Sequence, residues 1–187
     1  MKIKTEHYET YLHQRTLIVG ESNSGKTTLT NQLLEKFIGA GYAPEIAILD
    51  LAPDKIMGVG GKMRINSLTE VLYLSTQIAA PRLQGKNDHH VWQLAQANVR
   101  AIECLFKRLI EAKRKILFVN DATLYLQAGT FEHFERVLNS FHTVIINAYE
   151  GDRFGDSELT RREKKLTRSL KQRSELIIRQ SVQPPNR

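Results

Sequence analysis

Residues 16–30 read Thr16-Leu17-Ile18-Val19-Gly20-Glu21-Ser22-Asn23-Ser24-Gly25-Lys26-Thr27-Thr28-Leu29-Thr30. The β-favouring run Leu17, Ile18, Val19 leads straight into a glycine-bounded turn. Leu29, Leu33, Leu34 and Phe37 then recur at helical spacing. Gly20, Gly25, Lys26 and Thr27 fill every fixed position of the Gly-x4-Gly-Lys-Ser/Thr phosphate loop, in the strand–turn–helix setting that the loop requires. Phosphate oxygens need many converging donors with little side chain in the way, which backbone N–H groups at a helix N-terminus supply together with the positive end of the helix dipole. The phosphate-binding set is therefore Gly20, Glu21, Ser22, Asn23, Ser24, Gly25, Lys26, Thr27 and Thr28. Lys26 is placed for the β- and γ-phosphates, Thr27 for a magnesium ion bridging them, and Thr28 for the α-phosphate. With no core role, Lys26 is expected to be largely exposed.

Outward from this loop, the chain has the composition of one globular domain: 187 residues, 41% hydrophobic and 25% charged. No apolar run approaches a membrane span and the first residues lack a signal-peptide core, so a cytoplasmic protein is expected. The single cysteine excludes an internal disulfide, and Cys104 reads as a small buried apolar residue. Residues 161–187 hold nine basic residues against two acids, Glu163 and Glu175, which accounts for the whole net charge of +7. The excess is a local surface and not a uniformly basic protein.

Strands and helices are expected to alternate. After a helix from about Thr27 to Ile38, Glu45-Ile46-Ala47-Ile48-Leu49-Asp50 reads as a buried strand ending in an acid. Residues 51–66 form a glycine-rich loop with Lys62 and Arg64, residues 71–75 a short strand, and residues 81–90 a second polar loop. Adjacent His89 and His90 diverge and have no third ligand nearby, so they read as a helix start, with Asp88 as N-cap of an amphipathic helix to about Ala112. Lys115-Ile116-Leu117-Phe118-Val119-Asn120-Asp121 is a strand followed by an acid, the loose pattern of a magnesium-holding strand end. A helix over 130–140, a strand over 143–147, a basic helix from Ser157 to about Arg173, a strand to Arg179 and a tail complete the chain. The expected architecture is α/β: a single three-layer α/β/α phosphate-loop domain over residues 1–187 with a mainly parallel sheet. The strands ending at Asp50 and Asp121 are expected to border the one ending at Val19.

Val19-Gly20-Glu21-Ser22-Asn23-Ser24-Gly25-Lys26-Thr27-Thr28-Leu29 resembles the phosphate loop of MobB, a small GTP-binding accessory protein of molybdenum-cofactor biosynthesis. It also resembles the P-loop core of Clp/Grc-type polynucleotide 5′-hydroxyl kinases, and Ile48-Leu49-Asp50-Leu51-Ala52-Pro53 looks like the acid-ended second strand of that group. Both belong to the signal-recognition, MinD and BioD class of P-loop proteins, and the likeness covers roughly the first third of the chain. The Lys-His signature of MobB-like proteins is replaced here by Leu49-Asp50. Asn147-Ala148-Tyr149-Glu150 keeps only the asparagine of a guanine-reading Asn-Lys-x-Asp, which tilts the base toward ATP over GTP.

Three functions stay open on these residues. One is a small kinase-like phosphotransferase or NTPase using ATP (or GTP) and Mg2+, with Lys26 and Asp50 catalytic and Thr27, Asp50 and Asp121 holding the metal. A second is a MobB-like GTP-binding accessory protein acting through a protein partner. The third is a nucleic-acid-binding NTPase that uses the basic helix. That helix is read instead as a solvated face paired with Glu163 and Glu175.

Overall fold

A computed structural model describes residues 7–55, 61–64 and 70–181. Six strands, β1 (Arg15–Gly20), β2 (Ile46–Asp50), β3 (Leu72–Ser75), β4 (Ile116–Asn120), β5 (Thr143–Tyr149) and β6 (Leu176–Gln180), form one sheet in the order β3-β2-β4-β5-β1-β6. Every pairing is parallel. The helices are α1 (Lys26–Gly39), α2 (Pro81–Gln84), α3 (Asp88–Glu111), α4 (Thr123–Leu126), α5 (Phe131–Leu138) and α6 (Glu158–Gln172).

Continuous apolar strands are what a sheet covered on both faces demands, because alternate side chains point to opposite sides. Leu17, Leu49, Leu117, Val119 and Ile146 join Ile102, Phe106, Tyr125, Phe134 and Leu170 in one core beneath α3 to α6. Ile18, Ile48, Phe118 and Ile145 join Leu33, Leu34 and Phe37 of α1, with Tyr11 from the N-terminal turn, in a second core. The result is three α/β/α layers. Among the described residues, a 3-10 turn, Tyr8–Tyr11, precedes β1.

The strand order corrects one expectation. β1 lies between β5 and β6, so neither β2 nor β4 borders it. All seven residues of β5 are buried, and that run occupies the centre of the sheet, between β1 and β4. Three smaller expectations also change. Cys104 is exposed, on the outer side of α3. The N-cap of α3 is Asn87, whose side chain accepts from the His90 N–H, and not Asp88. Residues 81–84 are a short helical turn within the segment read as the second polar loop, and residues 123–126 form another such turn after β4.

Candidate functional site

The loop after β1 is shaped by three backbone positions. A Cβ at Gly20 would lie 2.2 Å from the Gln180 carbonyl oxygen, so only glycine lets β6 approach here. Asn23 and Gly25 take left-handed backbone, with φ of 61° and 87°. Gly25 is the N-cap of α1, and no side chain caps the helix. The N–H groups of the first helical turn, Lys26, Thr27 and Thr28, therefore have no intrahelical acceptor. Strand, turn and helix follow one another as the sequence motif predicts.

Lys26 is half-buried and not largely exposed as expected. Its Nζ donates to the carbonyls of Gly20 (2.9 Å) and Glu21 (2.6 Å), folded back over the loop. Burial lowers its pKa, while Asp121 and Glu21 act in the other direction. Glu21 turns away from the phosphate side and accepts from the Asp152 N–H.

A cleft of about 370 Å³ opens over the loop, within the range of small-molecule sites. Residues 22–28 line it together with, among others, Arg82, Asp121, Gln127, Tyr149, Phe154 and Glu163. Of the metal candidates, Thr27 and Asp121 both line this cleft, whereas Asp50 is not among its lining residues. Asp121 follows β4 in left-handed backbone (φ 56°), and its N–H donates to Asn147 Oδ1. Burial pushes the Asp121 carboxyl upward, against the Thr123 hydroxyl and the Lys26 and Arg82 cations.

Asp50 is fully buried and its carboxylate serves four donors. The N–H of Ala52 and Nδ2 of Asn120 bond Oδ1, and the N–H of Met63 and the Tyr73 hydroxyl bond Oδ2. Asp50 reaches the phosphate loop through Asn120, whose Oδ1 accepts from the Thr27 hydroxyl at 3.1 Å. Asn147 closes the network, donating through Nδ2 to Asn120 Oδ1 and to Thr30 Oγ1, each at 2.9 Å. That side chain is committed to tying β5, β4 and α1 together. Lys62, from the glycine-rich loop, braces the backbone at Asp50 and Thr76. Gly61 lines the cleft, while Gly58 and Gly60 lie outside the described residues.

Sequence reasoning missed the wall built by Arg82, Gln127 and Glu163. Glu163 is 1% exposed, and it pairs with Arg82 and accepts from Gln127 Nε2. It was read as a partner of the basic helix surface, but its spacing from Leu159, Leu166 and Leu170 puts it on the inward stripe of α6. Glu175 likewise bonds the Arg15 N–H. Hydrophobic periodicity of α6 carried the signal for Glu163; nothing in the sequence marked Arg82 or Gln127.

No family model and no curated protein matches the chain. Among solved structures, it is similar to the Hef helicase domain of Pyrococcus furiosus, at 14% identity over 95% of this chain and 37% of that one, with a TM-score of 0.44. It is also similar to the Pif1 helicase of Candida albicans, at 11% identity over 97% of this chain and 40% of that one, with a TM-score of 0.38. The chain spans about two fifths of the length of either structure.

The donor chemistry of the cleft suits magnesium. The Thr27 hydroxyl spends its proton on Asn120 and keeps its lone pairs, and Asp121 offers a carboxylate in the same cleft, both hard oxygen donors.

Proposed function

We propose that this protein binds a magnesium–nucleoside triphosphate, ATP in preference to GTP, and acts as an NTPase or small phosphotransferase. The observation that carries the reading is the uncapped N-terminus of α1, opening with Lys26 onto a cleft that also holds Asp121. In this reading the backbone of residues 20–28 takes the phosphates, Thr27 and Asp121 hold the metal, and Lys26 exchanges the loop carbonyls for phosphate oxygens. Bound magnesium would supply charge neutralisation across the β- and γ-phosphates. Asp50 acts in this scheme by orienting Asn120, and through it the Thr27 hydroxyl. The loop's likeness to MobB and to the Clp/Grc kinase core supports nucleotide binding. The tilt toward ATP rests on the missing lysine and aspartate after Asn147, whose own amide is occupied within the fold.

The test is thermal unfolding with ATP or GTP, with and without Mg2+. A ligand at about a hundred times its Kd adds roughly 2.7 kcal/mol to the folded state. A Mg2+-dependent rise in Tm, larger for ATP, is the expected result, and no rise with either nucleotide overturns the reading. Labelled γ-phosphate then separates the two activities: release as free phosphate marks an NTPase, and label on an RNA or metabolite acceptor marks a phosphotransferase.

A further inference from the structure

Among the described residues, eight buried side-chain polar atoms have no hydrogen-bond partner, and three of them belong to residues lining the cleft over the loop: Ser24 Oγ, Arg82 Nε and Gln127 Oε1. Buried polar groups in a folded protein are ordinarily paired; these atoms are themselves shut off from solvent, so what a ligand in the cleft would meet is the part of the Arg82 side chain that lines it.

Arg82 is the charged member of this group. It sits on the short turn α2, its side chain 11% exposed, and one terminal nitrogen pairs with Glu163, itself held from behind by Gln127. The guanidinium carbon lies 4.8 Å from the Phe154 ring centre and 5.8 Å from that of Tyr149. Lys26 Nζ lies 6.0 Å from the same Tyr149 ring, so this ring is a common neighbour of the two cations. Packing on two aromatic rings and pairing with a buried carboxylate fix the plane of the guanidinium while leaving donors unused. A lone buried ion pair contributes little net stability, which gives this one no obvious structural purpose. Its position in the cleft that Lys26 also lines does.

We infer that Arg82 is a ligand of the terminal phosphate of the bound nucleoside triphosphate, and that Glu163 is the positioning residue that aims it. This rests on the phosphate-loop reading above. Lys26 meets the phosphates as a point charge from the loop, and Arg82 meets the last of them with the guanidinium donor that Glu163 leaves free. A diphosphate would be held by the loop alone.

The test compares binding of ADP and of the non-hydrolysable β,γ-imido analogue of ATP, both with Mg2+, to the wild type, Arg82→Gln and Glu163→Gln. The expected result is a loss of tenfold or more in affinity for the triphosphate analogue in Arg82→Gln, with ADP changed less than twofold. In Glu163→Gln the loss is smaller, about threefold, and again confined to the triphosphate. Because Arg82→Gln leaves Glu163 buried without its cation, the double variant Arg82→Gln/Glu163→Gln carries the same comparison if the single one does not fold. Equal losses for both nucleotides, or none, overturn the assignment of Arg82 while leaving the phosphate loop intact. Failure of the wild type to bind either nucleotide overturns both.

Discussion

Lys26 is held by the carbonyls of Gly20 and Glu21, but it is not what holds them. Gly20 O also accepts from the Glu150 N–H, and Glu21 O from the Ser24 N–H. Lys26→Ala therefore leaves no carbonyl unpaired, and its expected cost in folding stability is below about 1 kcal/mol. Its expected effect on triphosphate affinity is a loss of about a hundredfold, since charge-assisted phosphate bonds vanish with it. Calorimetric titration beside urea unfolding reads both quantities, and unchanged affinity would sink the phosphate-loop assignment. Glu163 behaves differently, because burial outweighs Arg82 and Gln127 and raises its carboxyl from 4.5 to about 7. The folded state then binds the proton more tightly than the unfolded chain, so stability falls as pH rises through that window and has lost its full share above pH 7. The share is about 3 kcal/mol. Glu163→Gln should flatten the slope of unfolding free energy between pH 4.5 and 7; an unchanged slope would refute the assignment of that titration to Glu163.

At the scale of strands and helices, the decisive contact is between the ends of β2 and β4. Asn120 Nδ2 lies 2.8 Å from Asp50 Oδ1, in a fully buried position. An acid at 120 would place two carboxylates together where water cannot screen them, which is why an amide can stand beside the Thr27 hydroxyl and the acid follows at 121. Asn120→Asp should destabilise the fold by about 3 kcal/mol at pH 7, and adding Asp50→Asn should recover only part of that loss, because its amide nitrogen then faces a backbone N–H that the carboxylate accepts from. Urea midpoints of the two variants decide it. The same contact shows what was legible beforehand. Apolar runs at 17–19, 46–49, 116–119 and 144–146 specify doubly covered strands, and the parallel α/β sheet follows from them. Strand order does not follow, because it depends on which buried strand takes the centre, and β5 displaced β4 from the side of β1. The strand, turn and helix over residues 15–39 were readable because their signals are local. The cleft wall was not, since Arg82, Gln127 and Glu163 come from three distant segments that meet only in the folded chain.

Over the whole molecule, charge is distributed so that part of the basic C-terminal segment is answered from within. Arg161 pairs with Asp156 at 2.8 Å, Lys164 with Asp152 at 2.5 Å, and Lys171 with Glu150, while Arg162 donates to the Gly129 carbonyl. Glu150 and Asp152 share a hollow of about 200 Å³ with Lys164, Arg168 and Lys171, so the surface that faces out of α6 carries both signs. A groove that tracks a nucleic-acid backbone needs unpaired cations in a row and aromatic platforms for the bases. Tyr149 and Phe154, the aromatic residues nearest the start of α6, are instead packed against each other at 5.1 Å within the cleft. The expectation is therefore that the protein forms no saturable complex with single-stranded RNA at 150 mM salt. Charge reversal at Arg161, Lys165 and Arg168 should leave both that result and nucleotide binding unchanged. Fluorescence anisotropy across a salt series makes the comparison. If each phosphate were neutralised by one of these side chains, the logarithm of affinity would fall with that of salt by about 0.7 per contact, and the reversal would flatten the slope. A steep, saturable curve abolished by those three substitutions would turn α6 from a self-paired face into a nucleic-acid interface beside the nucleotide cleft.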